Sequence, residues 1–161
     1  MSSDLLVRIG EDADADSLAA FNVAMAWETE QKRLSPPVVA RGVRTLLENP
    51  RHGFYVVGDV DREVVGSLMV TYEWSDWRCA SFWWIQSVYI KPEFRKRGVF
   101  RRLYGFVKEK ASQEANICGF RLYAEKDNIA AQNAYGRIGM NRIPYVLYEE
   151  AFEERKTHVE L

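Results

Sequence analysis

The stretch most able to do chemistry is Ser87 to Arg102, where an apolar strand passes through Lys91-Pro92-Glu93-Phe94-Arg95-Lys96-Arg97-Gly98 into an amphipathic helix. A turn that opens a helix offers an anion the unbonded amides of the first helical turn and the positive end of the helix dipole. Gly98 lets a ligand come close to the backbone, and Arg95, Lys96, Arg97, Arg101 and Arg102 add charge around it. A second group is acidic and aromatic: Glu73, Trp74, Asp76, Trp77, Trp83 and Trp84. Carboxylates attract an ammonium group and indole faces hold it through cation–π contact, so this group suits a cationic amine. At least one of Trp83 and Trp84, neighbours on an apolar strand, is expected to be core. A third group, Trp27, Glu28 and Glu30, closes a helix. Its acids read either as a solvated helix end or as a lip that receives an amine.

The elements that position these groups follow from periodicity. Leu5 to Ile9 alternates as a short strand, and a helix is expected from about Ala13 to Glu30, with acids crowding its start where the dipole favours them. Ser35-Pro36-Pro37 opens a second helix that ends near Asn49-Pro50. From Gly53 the period changes to two. Phe54 to Gly58, Val64 to Trp74 and Arg78 to Ile90 read as three antiparallel strands in a meander, turning at 59–62 and 75–76. The third, nearly continuously apolar, is expected to be central, and Pro92 ends it. The helix after Gly98 carries Val99, Leu103, Phe106, Val107 and Ala111 on a core-facing stripe. Phe120 to Ala124 reads as a strand parallel to the one ending at Ile90, since a whole helix separates them. A last helix spans about Asn128 to Ile138 and stops at Gly139, with Tyr145 to Glu149 available as a final strand.

At 161 residues, 47% hydrophobic and 13% aromatic, the chain has room for one ordinary globular domain, expected over 1–150 with a charged tail at 151–161. A net charge of -1 argues against a dedicated nucleic-acid binder, so the basic turn suits a phosphorylated small molecule. Cys79 and Cys118 lack metal-ligand spacing, and no metal is expected. The start shows no signal-peptide pattern, and no apolar run nears the roughly 20 residues that span a bilayer. The expectation is a reduced, cytoplasmic protein that binds neither membrane nor nucleic acid. A homodimer through a strand edge or the aromatic hairpin stays open.

Arg95, Gly98 and Phe100 fall on the fixed positions of motif A of the GNAT superfamily of acyl-CoA N-acyltransferases, which the stretch resembles. Phe100 departs from the pattern, standing where the family usually has a small residue. Asn128, Ala131, Ala134, Tyr135, Gly139 and Met140 reproduce the spacing of motif B. Asn128 can cap the helix or bond a ligand amide, Ala131 and Ala134 leave space for a thin chain, and Tyr135 lies two turns on along the same face. The resemblance implies an α/β (α+β) fold, a central mixed sheet flanked by helices, whose parallel strands ending at Ile90 and Ala124 splay to admit acyl-CoA. It implies that Arg95, Lys96, Arg97, Gly98, Val99, Phe100 and Arg101 wrap the pyrophosphate. The same resemblance implies that Val88 gives its amide to the acyl carbonyl, with Tyr89 and Ile90 beside the pantetheine arm, and that Tyr135 protonates the departing thiolate. The expected function is transfer of an acetyl group from acetyl-CoA, the cosubstrate, to a primary amine of a small cationic molecule by direct attack. A protein lysine or N-terminal acetyltransferase and a non-catalytic acyl-CoA sensor are the alternatives. Glu73 is the first choice of base, with Glu28 and Glu30 as alternatives, and Trp27, Trp74, Asp76, Trp77 and Trp84 are candidates to hold the amine.

Overall fold

A computed structural model describes residues 4–152. The chain forms two compact units, one ending at Tyr123 and the other beginning at Ala124. The first contains a five-stranded sheet in the order β1-β2-β3-β4-β5. Its strands are β1 (Leu6–Ile9), β2 (Gly53–Val60), β3 (Glu63–Ser75), β4 (Ala80–Ile90) and β5 (Ile117–Arg121). The first four pair antiparallel in chain order and β5 joins β4 in parallel, as the helix between them requires.

Alternation sends side chains to opposite faces of this sheet, and helices cover both. Helices α1 (Ala15–Glu30) and α2 (Pro36–Glu48) bury Ala15, Leu18, Val43 and Leu46 against Tyr55 and Val57. On the other face, α3 (Val99–Ser112) buries Leu103, Tyr104 and Val107, continuing into an aromatic layer of Phe54, Tyr72, Trp83 and Phe120. Trp83 is 3% exposed and therefore core, whereas its neighbour Trp84 faces the α1 side and is half-buried. One ionic cluster ties the first strands together: Arg8 donates to both oxygens of the buried Asp14 (2.7 and 2.8 Å) and to Asp59 (2.7 Å). These bonds hold the Asp14 carboxyl below the usual carboxylate range, against the opposing push of burial, and hold the guanidinium firmly charged.

Two expectations need correction. The strand expected at 120–124 begins earlier, at Ile117, because Ser81 donates its amide to the Asn116 carbonyl and starts the pairing there. It ends at Arg121, where β4 and β5 cease to pair. The segment Tyr145 to Glu149 has no regular secondary structure. Its side chains from Tyr145 to Tyr148 are all exposed, and with no ladder partner among the described residues its alternation does not become a strand. Of the tail expected at 151–161, everything from 153 on lies outside the described residues.

The second unit contains α4 (Ile129–Arg137). Asn128 caps it by accepting the Ala131 amide at 3.1 Å. The helix closes through the Gly139 and Met140 amides, which donate to the carbonyls of Gly136 and Tyr135, with Gly139 in the left-handed region.

Candidate active site

Parallel pairing between β4 and β5 covers only Ser81 to Trp84 on one side and Ile117 to Arg121 on the other. Past Trp84, β4 runs on to Ile90 with β3 as its sheet neighbour, and among the described residues no strand pairs with the edge that β5 covered. A bulge sits in this open half. Between the pairs Met69–Gln86 and Ser67–Tyr89, β4 carries one residue more than β3, and Ser87 adopts φ +50°. A bulge with a non-glycine residue in the left-handed region bends its strand at a local cost, which the surrounding pairing must offset. The open backbone at Val88, Tyr89 and Ile90 therefore lies where β4 is bent and its neighbour is gone.

The basic turn follows directly. Pro92 to Phe94 forms a single 3-10 turn, Lys96 has φ +61°, and Gly98 has φ +77° at the N-cap of α3. A Cβ on Gly98 would meet nothing within 4 Å, so glycine is favoured there by the backbone angle and leaves open space above it. No side chain caps α3, and its first closing bond runs from the Arg102 amide to the Gly98 carbonyl at 3.1 Å. The amides of Val99, Phe100 and Arg101 precede that bond, at the position where a helix start can meet an anion. The Phe100 ring stacks on Tyr104, one helical turn along, at 6.1 Å and 24°. Lys96, Arg97 and Arg101 are exposed.

Arg95 is drawn out of this turn toward α1. Its Nε donates to the Ile90 carbonyl (2.8 Å), its Nη2 to Glu28 (2.6 Å), and its Cζ stands 5.4 Å over the Tyr89 ring. The Tyr89 hydroxyl donates to the other Glu28 oxygen at 3.0 Å. Hydrogen bonding from Arg95, aided by Tyr89, holds the Glu28 carboxyl below its usual range, while burial and the facing carboxylate push the Tyr89 phenol up. Glu28 is thus an ionised carboxylate and a weak base, and protonating it would give up its arginine. Glu30, at the end of the same helix, is exposed.

A second cluster lies where the strands part. Glu73 accepts from the Arg121 guanidinium on one oxygen and from the Trp84 indole (3.2 Å) on the other. The Arg121 Cζ sits 3.7 Å over the Phe82 ring, and Gln86 donates to the Thr71 hydroxyl at 2.6 Å. Strand alternation places these side chains on one face. It also separates the aromatic residues that proximity in sequence had grouped. Trp74 pairs opposite Ser81 and faces away from Glu73 and Trp84, and it is 61% exposed. Asp76 and Trp77 occupy the exposed hairpin turn, and Trp27 stacks under Arg33 at the end of α1. Arg121 and Ser87 were not singled out from the sequence. Arg121 meets a carboxylate 48 positions away and Ser87 looks like any polar strand residue, so neither leaves a local signal.

Tyr135 lies on α4 of the second unit, and burial pushes its phenol up, so it carries its proton at neutral pH. Ala131 and Ala134, on the same helix, are half-buried.

Residues 16–140 match the acetyltransferase (GNAT) family, and the chain belongs to that family. A possible acetyltransferase from Clostridium difficile 630 has the same fold with a TM-score of 0.86 and 42% identity, over 92% of this chain and 98% of that one. An aminoglycoside N-acetyltransferase solved in complex with CoA matches at a TM-score of 0.78 and 13% identity, over 94% and 97% of the two chains. A ribosomal-protein-alanine N-acetyltransferase from Brucella melitensis biovar Abortus 2308 matches at a TM-score of 0.74 and 17% identity, over 93% and 100%. The last two likenesses are of fold. No curated protein is a significant match. The protein is thus an acetyltransferase of mixed α/β fold. Among the described residues no helix is long and apolar enough to cross a membrane, and no cluster of potential metal ligands occurs.

Proposed function

We propose that residues 1–150 act as one N-acetyltransferase domain that moves an acetyl group from acetyl-CoA to the primary amine of a small molecule by direct attack in a ternary complex. The observation that carries this is the open half of β4 leading, within one turn, into the uncapped start of α3. The donor set fits a pyrophosphate: a helix start with no side-chain cap, two left-handed residues that curve the backbone, and exposed cations at Lys96, Arg97 and Arg101. Acetyl-CoA supplies the thioester. The Val88 amide polarises its carbonyl as an oxyanion contact and the backbone to Ile90 aligns the pantetheine arm, while Asn128 and Ala131 carry the cofactor-binding role that the family resemblance implies for them.

The ammonium form of the acceptor must first lose a proton, since only the neutral amine attacks. Glu73, fixed by Arg121 and Trp84 on the face beside the strand split, receives that proton through a water. Trp84 walls the amine site, and Glu28 holds Arg95 and Tyr89 in place. As the C–N bond forms and the C–S bond breaks, the Tyr135 phenol gives its proton to the thiolate. The protein works in the cytoplasm, where acetyl-CoA is available and its two cysteines stay reduced.

Thiol release from acetyl-CoA, measured against amines, polyamines, amino acids, aminoglycosides and a lysine peptide, tests this. One acceptor class should release CoA, and Tyr135→Phe should lower kcat by about 10²- to 10⁴-fold while acetyl-CoA still binds. Binding of acetyl-CoA without turnover of any acceptor would instead favour a sensor, and turnover of the lysine peptide alone a protein acetyltransferase.

A further inference from the structure

We propose that the acceptor carries a carboxylate next to its amine, as an α-amino acid does, and that Arg121 binds this carboxylate. The inference rests on the acetyltransferase reading and names the substrate class of the same site. Arg121 is the last residue of β5 to pair with β4, opposite Trp84, so it stands where the strands separate. Its guanidinium is fixed before any substrate arrives, packed face-on over the Phe82 ring at 3.7 Å and bonded to Glu73 through Nη1. Gly119 shapes that support: a Cβ there would lie 2.9 Å from the Phe82 ring. Among the described residues none accepts a hydrogen bond from Nε or Nη2 of Arg121. The side chain stays 26% exposed, so part of its donor fork remains for a ligand oxygen.

The local charge points the same way. A second guanidinium, of Arg78, stands 5.1 Å over the same Phe82 ring, so two arginines flank a ring whose adjoining carboxylate is Glu73. Of the other acids expected to draw an amine, Glu28 is held by Arg95, and Glu30 and Asp76 are exposed to solvent. At Glu73 and Glu28 a polyamine or other polycation would bring several positive charges to carboxylates that already have arginine partners, at the cost of like-charge repulsion. A zwitterion meets no such penalty. Glu73, reached through a water, and Arg121 lie side by side, so a ligand that meets both carries its ammonium and carboxylate close together, as an α-amino acid does.

The reaction balances with the same groups. The ammonium gives one proton to water held by Glu73, and the neutral nitrogen bonds to the thioester carbon. The thiolate leaves with the Tyr135 proton, and the second amine proton, shed as the N-acetyl amino acid forms, returns through water to the Tyr135 phenol. The product keeps the carboxylate that Arg121 binds and loses the positive charge that Glu73 attracts.

The Arg121–Glu73 pair also ties β5 to β3 across β4, so the test must separate recognition from support. Initial rates with each of the twenty amino acids are compared with those of their decarboxylated amines, for the native protein, Arg121→Gln and Arg121→Lys. Acetyl-CoA affinity is measured by calorimetry in all three. The native protein should prefer an amino acid to its matching amine. Arg121→Gln also frees Glu73, so it should slow both acceptors, but it should cost about 10- to 100-fold more in kcat/KM for the amino acid than for the matching amine, the size of one charge-assisted contact. Arg121→Lys should recover part of that loss, and acetyl-CoA affinity should not move. The inference is overturned if amines lacking a carboxylate are turned over as well as amino acids, if Arg121→Gln lowers both equally, or if acetyl-CoA binds and no amino acid reacts. Failure of the native protein to bind acetyl-CoA would overturn the acetyltransferase reading itself, and this inference with it.

Discussion

The two halves of β4 occupy different worlds. From Ala80 to Trp84 the strand has a partner on each edge, and Trp83 is locked between Phe54, Tyr72 and Phe120. From Ile85 to Ile90 one edge is open, the backbone is bulged at Ser87, and the nearest ionic contacts reach out to a helix and a turn. A strand paired on both edges spends its hydrogen bonds on itself and contributes stability. Released from β5 on one edge, it can offer amides to a ligand, while the β3 ladder on the other edge, with Arg95, Glu28 and Tyr89, holds its shape.

If that division is correct, damage to the closed half should cost stability and damage to the open half should cost binding. The largest effect is expected for Trp83→Ala, which empties the aromatic layer and should destabilise by about 3–5 kcal/mol in denaturant unfolding. Acetyl-CoA affinity of the molecules still folded should be nearly native, and a large loss there would break the comparison.

Acid unfolding sharpens it. Asp14 has a folded pKa below that of the unfolded chain, so its contribution is present above the unfolded carboxylate value of about 3.9 and is lost as pH falls through the lower folded value. Asp14→Asn should therefore flatten the acid limb of the stability–pH curve and lower stability near neutrality by about 3 kcal/mol, without changing the KM for acetyl-CoA. An unaltered acid limb would remove the Arg8 cluster from the account of the closed region.

Gly98→Ala probes the open side. Forcing a Cβ into the left-handed region costs about 1–2 kcal/mol, and its methyl enters the open space where the anion is proposed to bind, so acetyl-CoA should bind more weakly than the stability change alone implies. Equal affinity in isothermal titration would contradict the anion site. The smallest stability effect is expected for Glu28→Gln, below about 1 kcal/mol, because the Arg95 pair is substantially solvated. Its signature should be kinetic, a raised KM for the acceptor or acetyl-CoA, and a mutant kinetically identical to native would make the pair incidental.

Much of the fold was legible because it is locally encoded. Pro36 opens α2, Gly98 and Gly139 mark the helix boundaries, and the change to a period of two at Gly53 announces the meander. The final strand failed because alternation states which residues share a face and not whether a neighbour exists to pair with them. The aromatic group failed for a related reason: residues adjacent in sequence on a strand point to opposite faces, so Trp74 cannot act beside Glu73.

By itself the sequence determined the family, through two spaced motifs, and the local features proposed to hold an anion: a basic turn, a glycine and the start of a helix. Those are short-range properties, set by backbone angles and helix geometry within a few residues. Only the tertiary structure decided where β5 stops, that Ser87 bulges, and that Glu28 and Glu73 each face an arginine, 67 and 48 positions distant. Charge pairing over such separations depends on which strands become neighbours, and that is settled by burial of the whole core.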